Sequence, residues 1–257
     1  MKTLACVKRV PETGAKIALT DDNQAIDTSS LGFTMSPHEE CAIEEAIQQV
    51  ETHGGASHVL TLGPAEATEQ LRTGLAMQAD EATLLETDGD EWSPRATADA
   101  IANAVDALEA DDGAFDLLLF GNESADAANY QVGVRVAREL GVPCVTGIKS
   151  LDVEDGTAIA RREVAGGEEV YEVDLPAVVA VKEGINEPRY ASMRAKMQAR
   201  NQEVPAREAD GTAGPGTFEK VRLEAPDTDD REAEILGEGT DAVDDVVRVL
   251  DEEVEVL

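Results

Sequence analysis

Residues 115–140, FDLLLFGNESADAANYQVGVRVAREL, decide the fold. FDLLLF (115–120) is almost wholly apolar, as expected for a strand covered on both faces. The turn that follows, Gly121-Asn122-Glu123-Ser124-Ala125-Asp126, is small and polar. A helix is expected over 127–140, with Val132, Val136 and Leu140 recurring at i, i+4 and i+8 on one side. A buried strand running straight into an amphipathic helix is half of a βαβ unit.

The same alternation extends in both directions. Upstream, TLACVKRV (3–10) reads as a buried strand, and KIALT (16–20) with QAID (24–27) as a small hairpin around Asp22-Asn23. Ser36-Pro37 opens a helix, Ser as cap and Pro in the first turn, followed by Ala42, Ile43, Ala46, Ile47 and Val50 at helical spacing. SHVLTL (57–62) and ATLLE (82–86) are further strands; Pro64 starts one helix, carrying Leu71, Leu75 and Ala76, and residues 94–109 form another. Downstream, VTGIKSLDVE, TAIARREV, EEVYEVD and AVVAVKE are shorter strands joined by Asp155-Gly156 and Gly166-Gly167, with Pro176 beginning the last. The pattern predicts an α/β fold: a doubly wound parallel sheet with short β-hairpin additions and an extended C-terminal arm. After about residue 203 apolar periodicity collapses. ADGTAGPG (209–216) is a linker by composition, PDTDDRE (226–232) a charge run, and DAVDDVVRVLDEE (241–253) the one further candidate helix.

Composition narrows the function. The chain has 257 residues, 54 acids against 21 cations and a net charge of −33. Such a charge excludes nucleic-acid binding by bulk electrostatics. Only 7 of the cations are Lys, and an acidic, Lys-poor surface around an aliphatic core reads as halophilic adaptation, since salt screens the self-repulsion. Cys6, Cys41 and Cys144 lie far apart without C-x-x-C or metal spacing, which points to a reduced setting. No apolar run reaches the length of a membrane span or signal peptide, so a cytoplasmic protein without direct membrane insertion is expected.

In an open parallel sheet, ligands bind beyond the carboxyl ends of the strands. Three loops fall there: residues 8–14, Thr61-Leu62-Gly63-Pro64-Ala65, and Gly121–Asp126 leading into Ala127–Gln131. Small residues let backbone N–H groups approach a phosphate, and a helix amino end favours the anion. Because Asp126 repels an anion, the phosphate contact is expected from backbone near Asn129–Val132. Neither G-x-G-x-x-G after strand one nor G-x-x-x-x-G-K-[ST] is present, and no nucleophile has a base that the sequence can place. No catalytic residue is therefore assigned.

One stretch departs from the acidic background. EGINEPRYASMRAKMQARNQ (183–202) has no Asp or Glu from Pro188 to Gln202, yet holds Arg189, Arg194, Lys196 and Arg200 beside Tyr190, Met193 and Met197. Depleted acids with Met and Tyr anchors suit a docking surface. Met193 is expected to dock and Met197 to pack the helix onto the protein.

This stretch resembles the signature of the electron-transfer flavoprotein β subunit, where Asn-x-Pro-Arg-Tyr precedes a short helix. LACVKRV, SPHEECAIEEAI, LGPAEATEQLRTGLAMQADEATLL, GNESADAANYQVG and LPAVVAVKEGINEPRYASM resemble that family's ordered blocks over roughly residues 3–205. The resemblance implies an adenine nucleotide α-hydrolase-like sheet and an electron carrier rather than an enzyme. It also implies an α-subunit partner that holds most of the FAD. The family's buried AMP, or a second FAD in bifurcating members, would be held here by Cys6, Ser36, Pro37, His38, Glu39, Leu62, Gly121, Asn122, Glu123, Ser124, Ala125, Asp126, Asn129, Tyr130, Gln131 and Val132. Bulky Tyr130 favours AMP over the larger ligand. Tyr190, Met193 and Arg194 would meet acyl-CoA or other dehydrogenases, with Met193 the planted apolar side chain. Glu163 would pair with the α subunit, and Thr13 and His38 would stand at the flavin edge. Electrons would pass onward to a membrane quinone oxidoreductase, as in fatty acid oxidation. The division implied is 1–185 nucleotide-binding domain, 186–202 recognition loop and helix, and 203–257 arm contacting the α subunit. The alternative is a stand-alone adenine-nucleotide-binding regulatory protein of the same fold.

Overall fold

The computed structural model describes residues 1–12, 17–214, 216, 219–225 and 235–254. Thr13, Lys16 at the start of the expected hairpin, Pro215 in the linker and the 226–232 charge run lie outside the described residues.

A seven-stranded sheet organises the chain, built from β1 (Lys2–Val7), β4 (Ala56–Gly63), β5 (Glu81–Glu86), β6 (Leu117–Gly121), β7 (Cys144–Ile148), β11 (Ala177–Val181) and β12 (Ala206–Glu208). Its order is β12-β5-β4-β1-β6-β11-β7, and every pairing is parallel. Five helices accompany it: α1 (Pro37–His53), α2 (Thr68–Ala76), α3 (Pro94–Asp112), α4 (Val132–Leu140) and α5 (Met193–Asn201). A two-residue pair, β2 (Val10–Pro11) with β3 (Phe33–Thr34), closes the long loop after β1. A separate antiparallel sheet contains β8 (Ser150–Glu154), β9 (Thr157–Val164) and β10 (Gly167–Asp174), in the order β10-β9-β8.

Why the central strands are apolar throughout is visible in their alternation. Ala5 and Val7 of β1, with Leu117 and Leu119 of β6, pack with Ile43 of α1 and Leu71 of α2. Leu4, Cys6, Leu118 and Phe120 face the other way and pack with Ile101 of α3 and Val136 of α4. Both faces are therefore covered, so successive residues must all be apolar. Each side chain of the Leu117–Leu119 run is at most 1% exposed.

Boundaries shift where local chemistry overrides pattern. The helix expected from residue 127 begins at Val132, because Ala128 (φ 45°) and Tyr130 (φ 55°) adopt left-handed backbone that ends any helical path. Pro64 starts a 3-10 turn over Ala65–Ala67, and α2 proper opens at Thr68. The 155–156 turn is of the expected hairpin kind, with Asp155 at φ 50° and Gly156 at φ 82°. In the 17–27 region the expected pairing reduces to a single antiparallel bridge between Leu19 and Ile26. Past residue 203 the chain still belongs to the sheet, since β12 pairs with β5 at the edge and the compact first unit runs from Met1 to Leu223. Glu224–Leu257 is a second unit, with a 3-10 turn (Gly239–Ala242), α6 (Val243–Arg248) and a π-type turn (Val249–Glu253). Among the described residues, no helix is long and apolar enough to cross a membrane.

Ion pairs such as Arg95–Asp99 (3.8 Å) and Arg207–Asp111 (2.7 Å) are solvent-exposed and offset little of a net charge of −33. Raising KCl from about 0.1 M to about 2 M cuts the screening length from about 10 Å to under 3 Å. The melting temperature should rise by roughly 5–10 °C, read by circular dichroism. A flat or falling midpoint would contradict the charge argument.

Candidate functional site

β1 leads through α1 to β4 on one side, whereas β6, on β1's other side, leads to α4 on the opposite face. The strand order reverses at this point, and in open parallel sheets the binding crevice lies here, beyond the carboxyl ends of the two diverging strands. Two shallow hollows elsewhere, about 370 Å³ beside Ser93 and Gly214 and about 490 Å³ beside Lys2 and Asp116, lie away from it.

α1 enters the crevice through a capping box. The Ser36 hydroxyl accepts from the Glu39 N–H (3.3 Å), and the Glu39 carboxylate accepts from the Ser36 N–H (2.9 Å). The other Glu39 oxygen accepts from the Lys8 N–H (3.0 Å), so one carboxylate ties the end of β1 to the start of α1. Gly121 makes this packing possible, because a Cβ there would stand 2.7 Å from Glu39 Cγ and 3.1 Å from its backbone nitrogen. Burial pushes Glu39 up to about 8, against the two N–H donors and Lys8.

The 121–131 loop is bound into the same network. Ser36 Oγ donates to the Glu123 carbonyl (3.3 Å), and Asn122 Nδ2 donates to the Glu123 carboxylate (2.7 Å). The Glu183 N–H donates to His38 Nδ1 (2.7 Å), which leaves the His38 proton on Nε2, 3.5 Å from Glu123. Although burial opposes it, hydrogen bonds from Asn122 and Tyr130 hold Glu123 below the usual carboxylate range. Lys8 Nζ meets Asp126 at 2.6 Å and, against burial, holds that carboxyl low as well. Cys6 lies beside Phe120 in the sheet register, its thiol pushed up by burial and by Glu39. Leu62 sits near the end of β4, half-buried against the α3–α4 core.

The amino end of α4 differs from that of α1. Gln131, its N-cap residue, makes no capping bond, because its side-chain oxygen accepts from Arg135 (3.1 and 2.9 Å). The first helical bond runs from the Arg135 N–H to the Gln131 carbonyl (3.0 Å), so the N–H groups of Val132, Gly133 and Val134 precede it. Gly133 packs against Phe120, where a Cβ would come within 3.1 Å of the ring. The structure thus gathers Ser36, His38, Glu39, Gly121, Asn122, Glu123 and Asp126 into one network. Ala125 and Asn129 stay exposed on the loop, and Tyr130, exposed too, joins the network through its hydroxyl bond to Glu123.

The basic island forms a different surface. Tyr190 is 86% exposed, Met193 71% and Met197 62%. Met197 therefore does not pack the helix down as expected: α5 buries Ala199, leaving both methionines on its free side. Arg194 and Arg200 are exposed too, and Lys196 Nζ stands 4.6 Å above the Tyr190 ring. Arg189 is withdrawn from this surface by ion pairs to Glu44 (2.9 Å) and Glu51 (2.7 Å) of α1. Glu163 lies exposed on β9 in register with Glu168, apart from the crevice network. Among the described residues, no cluster of His, Cys, Asp or Glu is placed to hold a metal ion.

Sequence reasoning missed Lys8 as a partner of Asp126 and the role of Arg189; the helix amino end it pointed to, near Asn129–Val132, lies at Val132, where α4 starts. Of the two missed, only Lys8 left a signal, the Lys8-Arg9 pair directly after an apolar strand.

Residues 24–211 match the electron transfer flavoprotein domain family. The electron transfer flavoprotein subunit beta of Bacillus subtilis (strain 168) is 35% identical over 212 residues, which span 82% of this chain and 80% of the relative. That of Syntrophomonas wolfei subsp. wolfei is 38% identical over 207 residues, 79% of this chain and 78% of the relative. A third relative, the caffeyl-CoA reductase-Etf complex subunit CarD of Acetobacterium woodii, is 33% identical over 209 residues, 79% of this chain and 77% of its own. A parallel sheet whose order reverses between β1 and β6, and matches of this length to proteins of one kind, lead to one conclusion: the chain belongs to the electron transfer flavoprotein family, as a β subunit.

Proposed function

We propose that this chain is half of a heterodimeric electron carrier, with an adenine mononucleotide in the crevice between β1 and β6 and a dehydrogenase-docking face on α5. The observation that carries this reading is the uncapped amino end of α4 beside a glycine-gated loop at the strand reversal. AMP fits these residues. The N–H groups of Val132 to Val134 suit its phosphate, and Lys8 adds positive charge nearby. Ser36–Glu39 and Gly121–Asp126 form the wall, with Cys6 and Leu62 beneath it. A carboxyl at Glu39 that stays largely protonated near neutrality spares the phosphate a buried negative charge.

FAD, held mainly by the α subunit and walled on one side by this chain, supplies the redox chemistry when bound. His38 would line that wall, its Nε2 proton steered by Glu123. Glu163 and the 203–257 arm contact the α subunit. Tyr190, Met193 and Arg194 receive acyl-CoA or other dehydrogenases in the cytoplasm of a halophile, and electrons continue to a membrane quinone oxidoreductase. The name of the CarD relative, which places that protein in a reductase–Etf complex, supports assembly with acyl-CoA-linked oxidoreductases.

Co-expression with the α chain, acid release and mass spectrometry of the freed nucleotides test the crevice. AMP and FAD together are expected; FAD alone, or neither, would remove the mononucleotide reading. Gly121→Ala should lose AMP and cost about 1–3 kcal/mol in urea melts, since the Cβ must displace Glu39 and its backbone.

Glu39 adds a pH signature. Its folded value of about 8 lies above the ordinary 4.5, so between these values the folded chain holds a proton that the unfolded chain has lost. This stability is fully present below pH 4.5 and is lost as pH rises through about 8. Urea midpoints should therefore decline over that window, and Glu39→Gln should flatten the slope. An unchanged slope would place the titration elsewhere.

For the docking face, Met193→Glu should raise the KM for electron acceptance from a reduced acyl-CoA dehydrogenase about tenfold or more, with flavin content intact. Lost flavin at an unchanged KM would make Met193 a packing residue.

A further inference from the structure

We propose that Arg189 is a positioning residue for docking: it clamps the segment entering α5 onto α1, and so fixes the direction in which Tyr190, Met193 and Met197 point. The inference rests on the docking reading of α5. It starts from how small the packed side of that helix is. α5 has nine residues and buries only Ala199, and just before it Ala191 is 9% exposed. α5 lies against α2, but through small side chains that constrain its rotation weakly, while Tyr190, Met193 and Met197 stand exposed. Residues 182–192 contain no strand or helix to fix them.

The clamp supplies what packing does not. Arg189 Nε and Nη2 donate to Glu44 (2.9 and 3.0 Å), while Nη1 and Nη2 donate to Glu51 (2.7 and 3.1 Å). The Arg189 backbone N–H donates to the same Glu44 carboxylate (3.0 Å). One planar fork thus spans two acids that stand two turns apart on α1, which fixes its direction as well as its place. Three residues earlier, Asn186 Nδ2 donates to the Cys41 carbonyl (3.1 Å) and to Glu45 (3.0 Å). Glu44 is 3% exposed, and a carboxylate buried that deeply needs its cation. Against that burial, Arg189 holds Glu44 below the ordinary range, while Glu51 and Glu44 raise the guanidinium further. Tyr190 follows the clamp directly, and Ser192, the N-cap of α5, comes two residues later. The clamp therefore ends where the docking face begins.

The test uses the full chain assembled with its α partner and loaded with flavin, with a reduced acyl-CoA dehydrogenase as donor. Arg189→Gln should raise KM about tenfold and change kcat less than about twofold, because alignment is lost while chemistry is kept. Arg189→Lys should recover part of the loss, since an ammonium can meet one acid but cannot fork. In a double-mutant cycle, Met193→Ala should raise KM in the wild type but add less than about twofold to Arg189→Gln. Should Arg189→Gln fail to assemble, Glu51→Gln removes only the exposed arm of the clamp, and a KM rise of about two- to threefold is expected.

An unchanged KM in the assembled Arg189 or Glu51 variants, while Met193→Glu still raises it, would overturn the clamp and leave the docking reading standing. Fully additive effects of Arg189→Gln and Met193→Ala would overturn it as well. If Met193→Glu itself leaves KM unchanged, the docking reading fails, and the clamp falls with it.

Discussion

α1 can lie against the end of β6 only because Gly121 has no side chain. With the helix in place, Glu39 is buried at the join and can bond both the end of β1 and the cap residue of its own helix. A buried carboxyl is costly unless its oxygens are occupied or it takes up a proton. Here the two backbone donors and the upward shift to about 8 supply both. The crevice is thus set by a single steric allowance, and the polar network of Ser36, Glu123 and His38 forms around it.

From that point α1 acts as a strut between two surfaces. Its amino end carries Ser36–Glu39 at the crevice, and further along Cys41, Glu44, Glu45 and Glu51 hold the segment before α5. Three acids that would otherwise be an unwelcome charge density on one helix are instead spent on Asn186 and Arg189. This also explains why the acid-free window 188–202 carries a cation that does not belong to its surface. The charge that α5 itself carries is that of Arg194, Lys196 and Arg200.

Much of the sheet was legible because period and burial agree. Alternating strands and helices can only bury both faces of FDLLLF and AVVAV in a parallel sheet, and α1, β4, β5 and α3 fall within a few residues of their expected ends. Legibility failed where a longer-range interaction decided the outcome. Ala127 and Ala128 favour helix locally, but the loop must turn over the strand ends, and left-handed backbone at Ala128 and Tyr130 does this. β12 hides in a polar arm because a three-residue edge strand gains backbone hydrogen bonds rather than an apolar face. Met193 and Met197 looked half like core because their spacing is that of a buried stripe, yet the buried side of α5 is alanine. Arg189 was unreadable as a clamp, since its two acids lie 145 and 138 residues away.

The division of labour on α5 has a physical logic in so acidic a chain. Exposed cations steer a partner only over a screening length, about 10 Å at 0.1 M salt and about 3 Å at 1 M. Methionine contacts depend on area removed from water, which salt does not weaken. A face that relied on Arg194 and Arg200 alone would lose its hold as ionic strength rose. Pairing them with Met193, Met197 and Tyr190 leaves steering to charge and retention to thioether and ring. Because the methionines are flexible, they adapt to a partner only if the backbone beneath them is held still. Buried alanines cannot do that, and the guanidinium fork on α1 can.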